Sequence, residues 1–225
     1  MNQTELVSKI TTEVIKVLQE KNKISSTAGV GSCNKTGIPV GVSVRHIHIS
    51  QGDLEKLFGP GYKLTVKKDL TQPGEFAANE VVTIVGPKLR SIPNVRILGP
   101  VRSKTQVELA KTDGIVLGIN PPVRKSGDTV GSESVTLVGP KGSLTLKEGA
   151  IRANRHIHMG PADATGFGVK DDDLVSVEVS GDKALIFKDV QVRVHQGWIL
   201  EMHLDTDDAN AADIRCGKTV RLVKE

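Results

Sequence analysis

A chain of 225 residues, 38% hydrophobic and 25% charged, is long enough for one large domain or two small ones with a real core, and this composition excludes a disordered protein. No run approaches the ~18 apolar residues of a membrane span, and two cysteines, Cys33 and Cys216, exclude a disulfide framework and a cysteine-based zinc knuckle. Four Phe, one Tyr and one Trp are too few for a platform that stacks single-stranded nucleic acid, while a net charge of +4 and a pI near 9.0 favour an anionic ligand.

The first segment, residues 1–21, has the pattern of an amphipathic helix. Leu6, Val7, Ile10, Val14, Val17 and Leu18 fall on one stripe at helical spacing, and Asn2 with Glu5 fits a capping box. The segment lacks the continuous apolar core of a secretory signal, and its three glutamates and lack of arginine do not suit a mitochondrial presequence. Residues 22–37, with Ser25, Ser26, Thr27, Gly29, Gly31 and Ser32, read as a flexible linker. A helix tethered in this way either docks on its own chain or a dimer mate, or serves as a detachable address for a groove on a partner. Its apolar stripe also provides a means of self-association, so a homo-oligomer is expected.

From Ile38 onward the chain reads as mainly β with short helices. Candidate strands are Val40–Val44, Lys63–Val66, Val81–Val85, Val95–Leu98, Ser134–Val138, Ser143–Leu146, Leu174–Val179, Ala184–Phe187, Gln191–Val194, Trp198–His203 and Thr219–Val223. Strands do not alternate with long helices, which argues against a doubly wound sheet and for barrels or sandwiches. One motif repeats: Arg45-His46-Ile47-His48-Ile49 returns as Arg155-His156-Ile157-His158-Met159. Each copy precedes a short helical pattern. Ser50 and Asp53 can cap the first helix, Asp53–Phe58, and Pro161 can open the second. The body thus reads as two related but unequal halves, 38–150 and 151–225.

Residues i and i+2 of an extended chain face the same side, so each His-x-His element can bite a metal ion. Imidazole is a common zinc ligand, and a catalytic zinc site usually has three protein ligands with one open position. The partners available to the two pairs are Glu108, on an alternating stretch, and His203, on an apolar one, with Glu201 in reserve on the same face as His203. Spacing does not say which ligand serves which ion. His195 adjoins a probable turn, Gln196-Gly197, and reads as a surface residue. Arg102, six residues before Glu108, is placed to act as a phosphate clamp beside a metal. The N-termini of the two helices also offer a positive dipole end suited to phosphate. A cupin would need a carboxylate about four residues after its second histidine, and neither copy supplies one.

Three stretches, Val42–Ser50, Gly99–Glu108 and Asn154–Met159, together resemble the PduL-type phosphate propanoyltransferases (phosphotransacylases), and the similarity covers residues 38–225. That resemblance implies two β-barrel domains related by the internal repeat, with two Zn2+ ions between them. It implies metal ligands at His46, His48, Glu108, His156, His158 and His203, a phosphate-binding Arg102, and Ser43, Gln72 and Gln106 near the site, where coenzyme A binds as the second substrate. The reaction implied is exchange of an acyl-CoA and inorganic phosphate with an acyl phosphate and free CoA, with propanoyl-CoA as the acyl donor. The N-terminal helix then looks like an encapsulation peptide that carries the enzyme to the shell or core of a bacterial microcompartment, in propanediol degradation. Two competing readings use the same ligands: a zinc hydrolase of thioesters or phosphoesters, and a non-enzymatic metal-binding microcompartment component.

Overall fold

Short runs of Val, Ile and Leu separated by glycine turns can bury only one face each, so they must pair and then close or stack. The computed structural model describes residues 37–223 of this chain. The expected helix over 1–21 and all but the last residue of the expected linker lie outside those residues. The strands, in chain order, are β1 (Ile38–Ser43), β2 (His46–Ser50), β3 (Val66–Asp69), β4 (Phe76–Val85), β5 (Ser91–Arg102), β6 (Gln106–Glu108) and β7 (Val123–Arg124). They continue with β8 (Glu133–Val138), β9 (Ser143–Ala153), β10 (His156–Met159), β11 (Leu174–Val179), β12 (Leu185–Val194), β13 (Glu201–Asp205) and β14 (Thr219–Val223). Four short helices are described: α1 (Gln51–Phe58), α2 (Lys111–Leu117), α3 (Pro161–Phe167) and α4 (Thr206–Ala211).

The strands form two closed six-membered rings. The first runs β4-β5-β2-β6-β9-β8 and back to β4, with β3 and β7 attached at its sides. The second runs β1-β13-β10-β12-β11-β14 and back to β1. The fold is therefore mainly β, with two barrels, as the sequence leads one to expect. The rings match pair for pair. β2 with β5 and β10 with β12 are parallel, as are β6 with β9 and β13 with β1, and every other neighbouring pair is antiparallel. In this correspondence β1 takes the place of β9, so the repeat is circularly permuted: the first described strand completes the barrel built by the last ones.

The halves drawn at 150/151 therefore do not coincide with the barrels. Residues 38–43 belong with the later strands, and β9 continues to Ala153 before the chain crosses over. The chain crosses between barrels twice, at Val44-Arg45 and at Asn154-Arg155, each time immediately before a His-x-His strand. Each barrel has its own apolar core. Ile47, Ile49, Leu57, Ile84, Ile97 and Leu137 fill the first; Ile38, Ile157, Met159, Val177, Val192 and Leu204 fill the second.

Each strand that carries a ligand residue, β2, β6, β10 and β13, runs on into a helix. Helix α1 is capped by the Ser50 hydroxyl, which accepts from the Asp53 amide. Helices α2 and α3 use an aspartate in the first turn instead: Asp113 accepts from the Ala110 amide and Asp163 from the Gly160 amide. Both end on a glycine in the left-handed region, Gly118 and Gly168. Each helix start thus carries its own carboxylate, and no residue from 50 to 54 or from 160 to 164 lines the cleft described below. The helix starts are not the anion site expected of them.

Four of the candidate strands change. Ala184–Phe187 and Gln191–Val194 are parts of the single strand β12, and Lys63–Val66 moves forward to β3. Trp198–His203 becomes Glu201–Asp205, because the Ile199 backbone bonds the Gln72 side-chain amide rather than a neighbouring strand.

Candidate metal centre and cleft

On β2 the alternation of a half-buried strand separates two roles. Ile47 and Ile49 point into the first barrel, while His46 and His48 point out of it. β10 does the same with Ile157 and Met159 against His156 and His158. The third member of each group arrives by strand register: Glu108 on β6 stands opposite His46, and His203 on β13 stands opposite His156. Two three-residue groups result, at equivalent positions of the two barrels, and each brings its ligand atoms within 4.8 Å of one another.

In the first group, Nε2 of His46 lies 3.2 Å from Nε2 of His48, and the Glu108 carboxylate lies 3.5 and 3.6 Å from those two nitrogens. In the second, the rings of His156, His158 and His203 lie 4.6–4.9 Å apart, centroid to centroid. Ring orientation is fixed in the same way in both copies. His46 Nδ1 donates to the Val44 carbonyl at 2.9 Å, and His156 Nδ1 to the Asn154 carbonyl at 2.8 Å. Those carbonyls belong to the two crossovers. Such a bond selects the tautomer that leaves the Nε2 lone pair free for a metal.

Several buried nitrogens, Nδ1 of His48, both ring nitrogens of His158 and Nε2 of His203, have no hydrogen-bond partner among the described residues. Buried polar atoms are rarely left so. Convergent lone pairs with nothing between them are what a cation would satisfy, so these residues fit a bound metal ion. The protonation states also suit one. Burial pushes His48 and His156 down to about 4 and His158 to about 2, so these imidazoles are neutral at pH 7. Burial alone would raise Glu108, but His46, His48 and the Ser126 hydroxyl outweigh it and hold the carboxylate well below its ordinary value.

Around Glu108 is a cage of hydrogen bonds. Gln106 Nε2 donates to it at 2.5 Å and Ser126 Oγ at 2.7 Å, and Gln106 is itself held by the Gly127 amide at 2.8 Å. Gln106 thus lies behind Glu108 and outside the cleft lining. The register equivalent of Gln106 on β13 is Glu201. Its carboxylate sits 3.2 Å from His203 Nε2 without hydrogen-bond geometry, and accepts from the Thr71 hydroxyl at 2.9 Å. Gly41 makes room for it: a Cβ there would lie 2.8 Å from the Glu201 carboxyl carbon.

Both groups border one cleft of about 800 Å³, which Ser43, Gln72, Glu75, Arg102, Ser126, Arg193 and Cys216 also line. A smaller cavity of about 30 Å³ touches His46 and Glu108 on one side and His156 and His203 on the other. Arg102 reaches the cleft from the end of β5, with only a long contact to the Ser126 hydroxyl (3.4 Å) and one to Glu75 (3.5 Å). Gln72 lines the cleft too, but both ends of its amide are bound to the Ile199 backbone, at 2.9 and 3.1 Å, which ties the rims of the two barrels together. Thr112, bonded twice to Asp207, and Lys125, paired with Asp172, add further ties between the barrels. His195 is exposed, and its ring packs at a tilt against Trp198.

The sequence reading missed Arg193. Its strand partner His158 could have pointed to it, but the equivalent position in the first barrel is Leu98, so the repeat gives no hint.

Comparison with known proteins agrees with this geometry. Residues 39–215 match the family model described as phosphate propanoyltransferase. The chain is 53% identical over 224 residues to a phosphate propanoyltransferase of Lachnoclostridium phytofermentans, covering 99% of each chain. It is 56% identical over 189 residues to one of Thermotoga maritima, covering 84% of this chain and 90% of that one. To one of Priestia megaterium it is 51% identical over 213 residues, covering 95% and 93%. With identities above half over matches that cover most or nearly all of the chain, this chain belongs to the phosphate propanoyltransferase family.

Proposed function

We propose that the cleft transfers a propanoyl group between coenzyme A and inorganic phosphate, with one zinc ion held by His46, His48 and Glu108 and a second by His156, His158 and His203. The observation that carries this reading is the pairing of the two groups. Each offers three protein donors, the number a catalytic zinc site uses while leaving a position open, and both face the same space. The donor set of five imidazoles and one carboxylate suits zinc. When bound, such ions would supply Lewis acidity toward the thioester carbonyl and the phosphate oxygens.

The chain's own residues account for the rest. The Val44 and Asn154 carbonyls hold the imidazoles of His46 and His156 in one orientation, and Gln106 and Ser126 hold Glu108. Arg102 stands loosely paired at the cleft wall, a guanidinium free to take phosphate in place of Glu75. Phosphate attacks directly: a P–O oxygen bonds the thioester carbon, the C–S bond breaks, and CoA leaves as its thiol with the proton released by phosphate. No side chain among the described residues is set up for a covalent route. Ser126 Oγ already donates to Glu108, and the hydrogen-bond partners of Cys216 Sγ among the described residues are the amide and carbonyl of Val42. The clustered basic residues of the cleft, Lys68, Arg96, Arg102 and Arg193, suit two anionic substrates.

The segment 1–21 would act as the address that brings the enzyme to the shell or core proteins of a bacterial microcompartment, with self-association through its apolar stripe. Its amphipathic pattern and glycine-serine tether support this. The reaction is tested by following thiol release from propanoyl-CoA with and without phosphate, alongside acetyl- and butanoyl-CoA. Release that requires phosphate is expected. Release indifferent to phosphate would make the protein a hydrolase, and no release from metal-loaded protein would leave a non-enzymatic metal binder.

A further inference from the structure

We infer that Arg193 is a second phosphoryl-binding residue, which together with Arg102 clamps the reacting phosphate over the second metal group. Arg193 lies on β12 directly beside His158 on β10, and in a parallel pair such partners project from the same face. Its side chain is half-buried and lines the cleft. Among the described residues its guanidinium has no hydrogen bond and no ion pair.

The two aspartates whose charge reaches it are already engaged. Asp171 accepts from the Val194 amide at 2.7 Å, and Asp172 takes Lys125 at 2.7 Å and the Gln191 amide at 2.6 Å. What Arg193 does touch is the face of Trp198, 5.4 Å from the ring centroid, and Trp198 packs in turn against His158 at 4.2 Å. A cation–π contact of this kind steers the guanidinium plane but leaves its donors free. Of the four arginines that border the cleft, Arg45 is paired with Asp113 and Arg96 is bonded to the Ala78 carbonyl, which leaves Arg193 without a partner and Arg102 loosely held; a planar fork of donors is the usual recognition element for phosphate. The partner must be the reacting phosphate rather than a phosphate of coenzyme A. Arg193 stands one strand from His158, whereas the pantetheine arm separates the CoA phosphates from the reacting sulfur.

This inference rests on the acyl-transfer reading of the cleft, and the test keeps the two separable. Zinc-loaded full-length protein is titrated calorimetrically with inorganic phosphate and, separately, with CoA. In Arg193→Gln, phosphate affinity should fall about tenfold or more, the loss of charge-assisted hydrogen bonds, with CoA affinity unchanged. The Michaelis constant for phosphate should rise in step while that for propanoyl-CoA holds. Trp198 is the single tryptophan, so phosphate should change the intrinsic emission of the wild type and leave that of the variant unaltered. Should Arg193→Gln not fold, Arg193→Lys keeps the charge but loses the fork and should weaken phosphate by about threefold to tenfold.

Phosphate affinity equal to wild type in the variant that folds, or a loss confined to CoA, overturns the inference. Arg193-dependent phosphate binding in a protein that shows no phosphate-dependent thiol release would sink the acyl-transfer reading and leave Arg193 as a phosphate ligand.

Discussion

Glu108 shows how a single position can be specified from several directions. The register with His46 brings it to the site, Gln106 and Ser126 both donate to its Oε1, and Gly127 fixes Gln106. Residues that orient a metal ligand commonly influence affinity by ~10–100-fold. Gln106→Ala should therefore weaken zinc at the first group by about that factor and leave the second group untouched, because the side-chain bonds of Gln106 go to Glu108, Ser126 and Gly127. Competition with a chelator of known affinity, which resolves two ions per chain, measures this; equal weakening of both ions would refute it. Glu80 makes the opposite point, a buried carboxylate with a structural job. Burial would raise its pKa, but the Thr65 amide, the Thr65 hydroxyl and the Tyr62 hydroxyl donate to it and hold it below the ordinary value. A depressed folded-state pKa stabilises the protein above the unfolded-state value, near ~4.3, and that contribution fades as the pH drops through the lower folded value. Glu80→Gln should cost about 1–2 kcal/mol at pH 7, and the gap to wild type should narrow toward pH 3. Denaturant unfolding at pH 7, 5 and 3 reads both, and a gap that widens on acidification would contradict the assignment.

At the scale of elements, what the sequence discloses depends on whether the determinant is local. The His-x-His strands are legible because their period-2 alternation and their repetition are both written in consecutive residues. Helix α1 is legible for the same reason, since Ser50, Asp53 and the Gly59-Pro60 stop lie within one short stretch. Helix α2 is not. Gly114, Ile115 and Val116 are poor helix formers, and α2 is held by the Asp113 carboxylate at its start and by contact with β5. Trp198–Leu200 misleads in the other direction. Its apolar run looks like a strand, yet Gln72, remote in sequence, takes the Ile199 backbone. The ligand residues can be named from the sequence, but their grouping depends on which strands pair, and that is decided by β6 lying next to β2 and β13 next to β10. Arg193 escaped notice because its meaning comes from β12 lying beside β10.

For the whole molecule, the permutation by which β1 completes the second barrel places the site. Each crossover supplies the carbonyl that orients a histidine, so the connection between barrels and the geometry of the ligands are one feature. This topology has a direct test. Ile38 at the start of β1 stands opposite Val220 of β14 in an antiparallel pair, so a short flexible linker can join the end of β14 to the start of β1 as a hairpin. A permutant that begins at Arg45, runs to Val223 and ends, after such a linker, with residues 37–44 would make each barrel contiguous in sequence. Because it keeps every strand pair, it should fold, bind two metal ions per chain and retain phosphate-dependent thiol release. It loses one of two covalent ties between barrels, so its thermal midpoint should drop, and its first metal group should weaken more than its second, since Val44 becomes the chain end while Asn154 keeps its place. A permutant that folds but loses the second group first would show that the β1–β13 register, rather than the crossover carbonyl, governs the site.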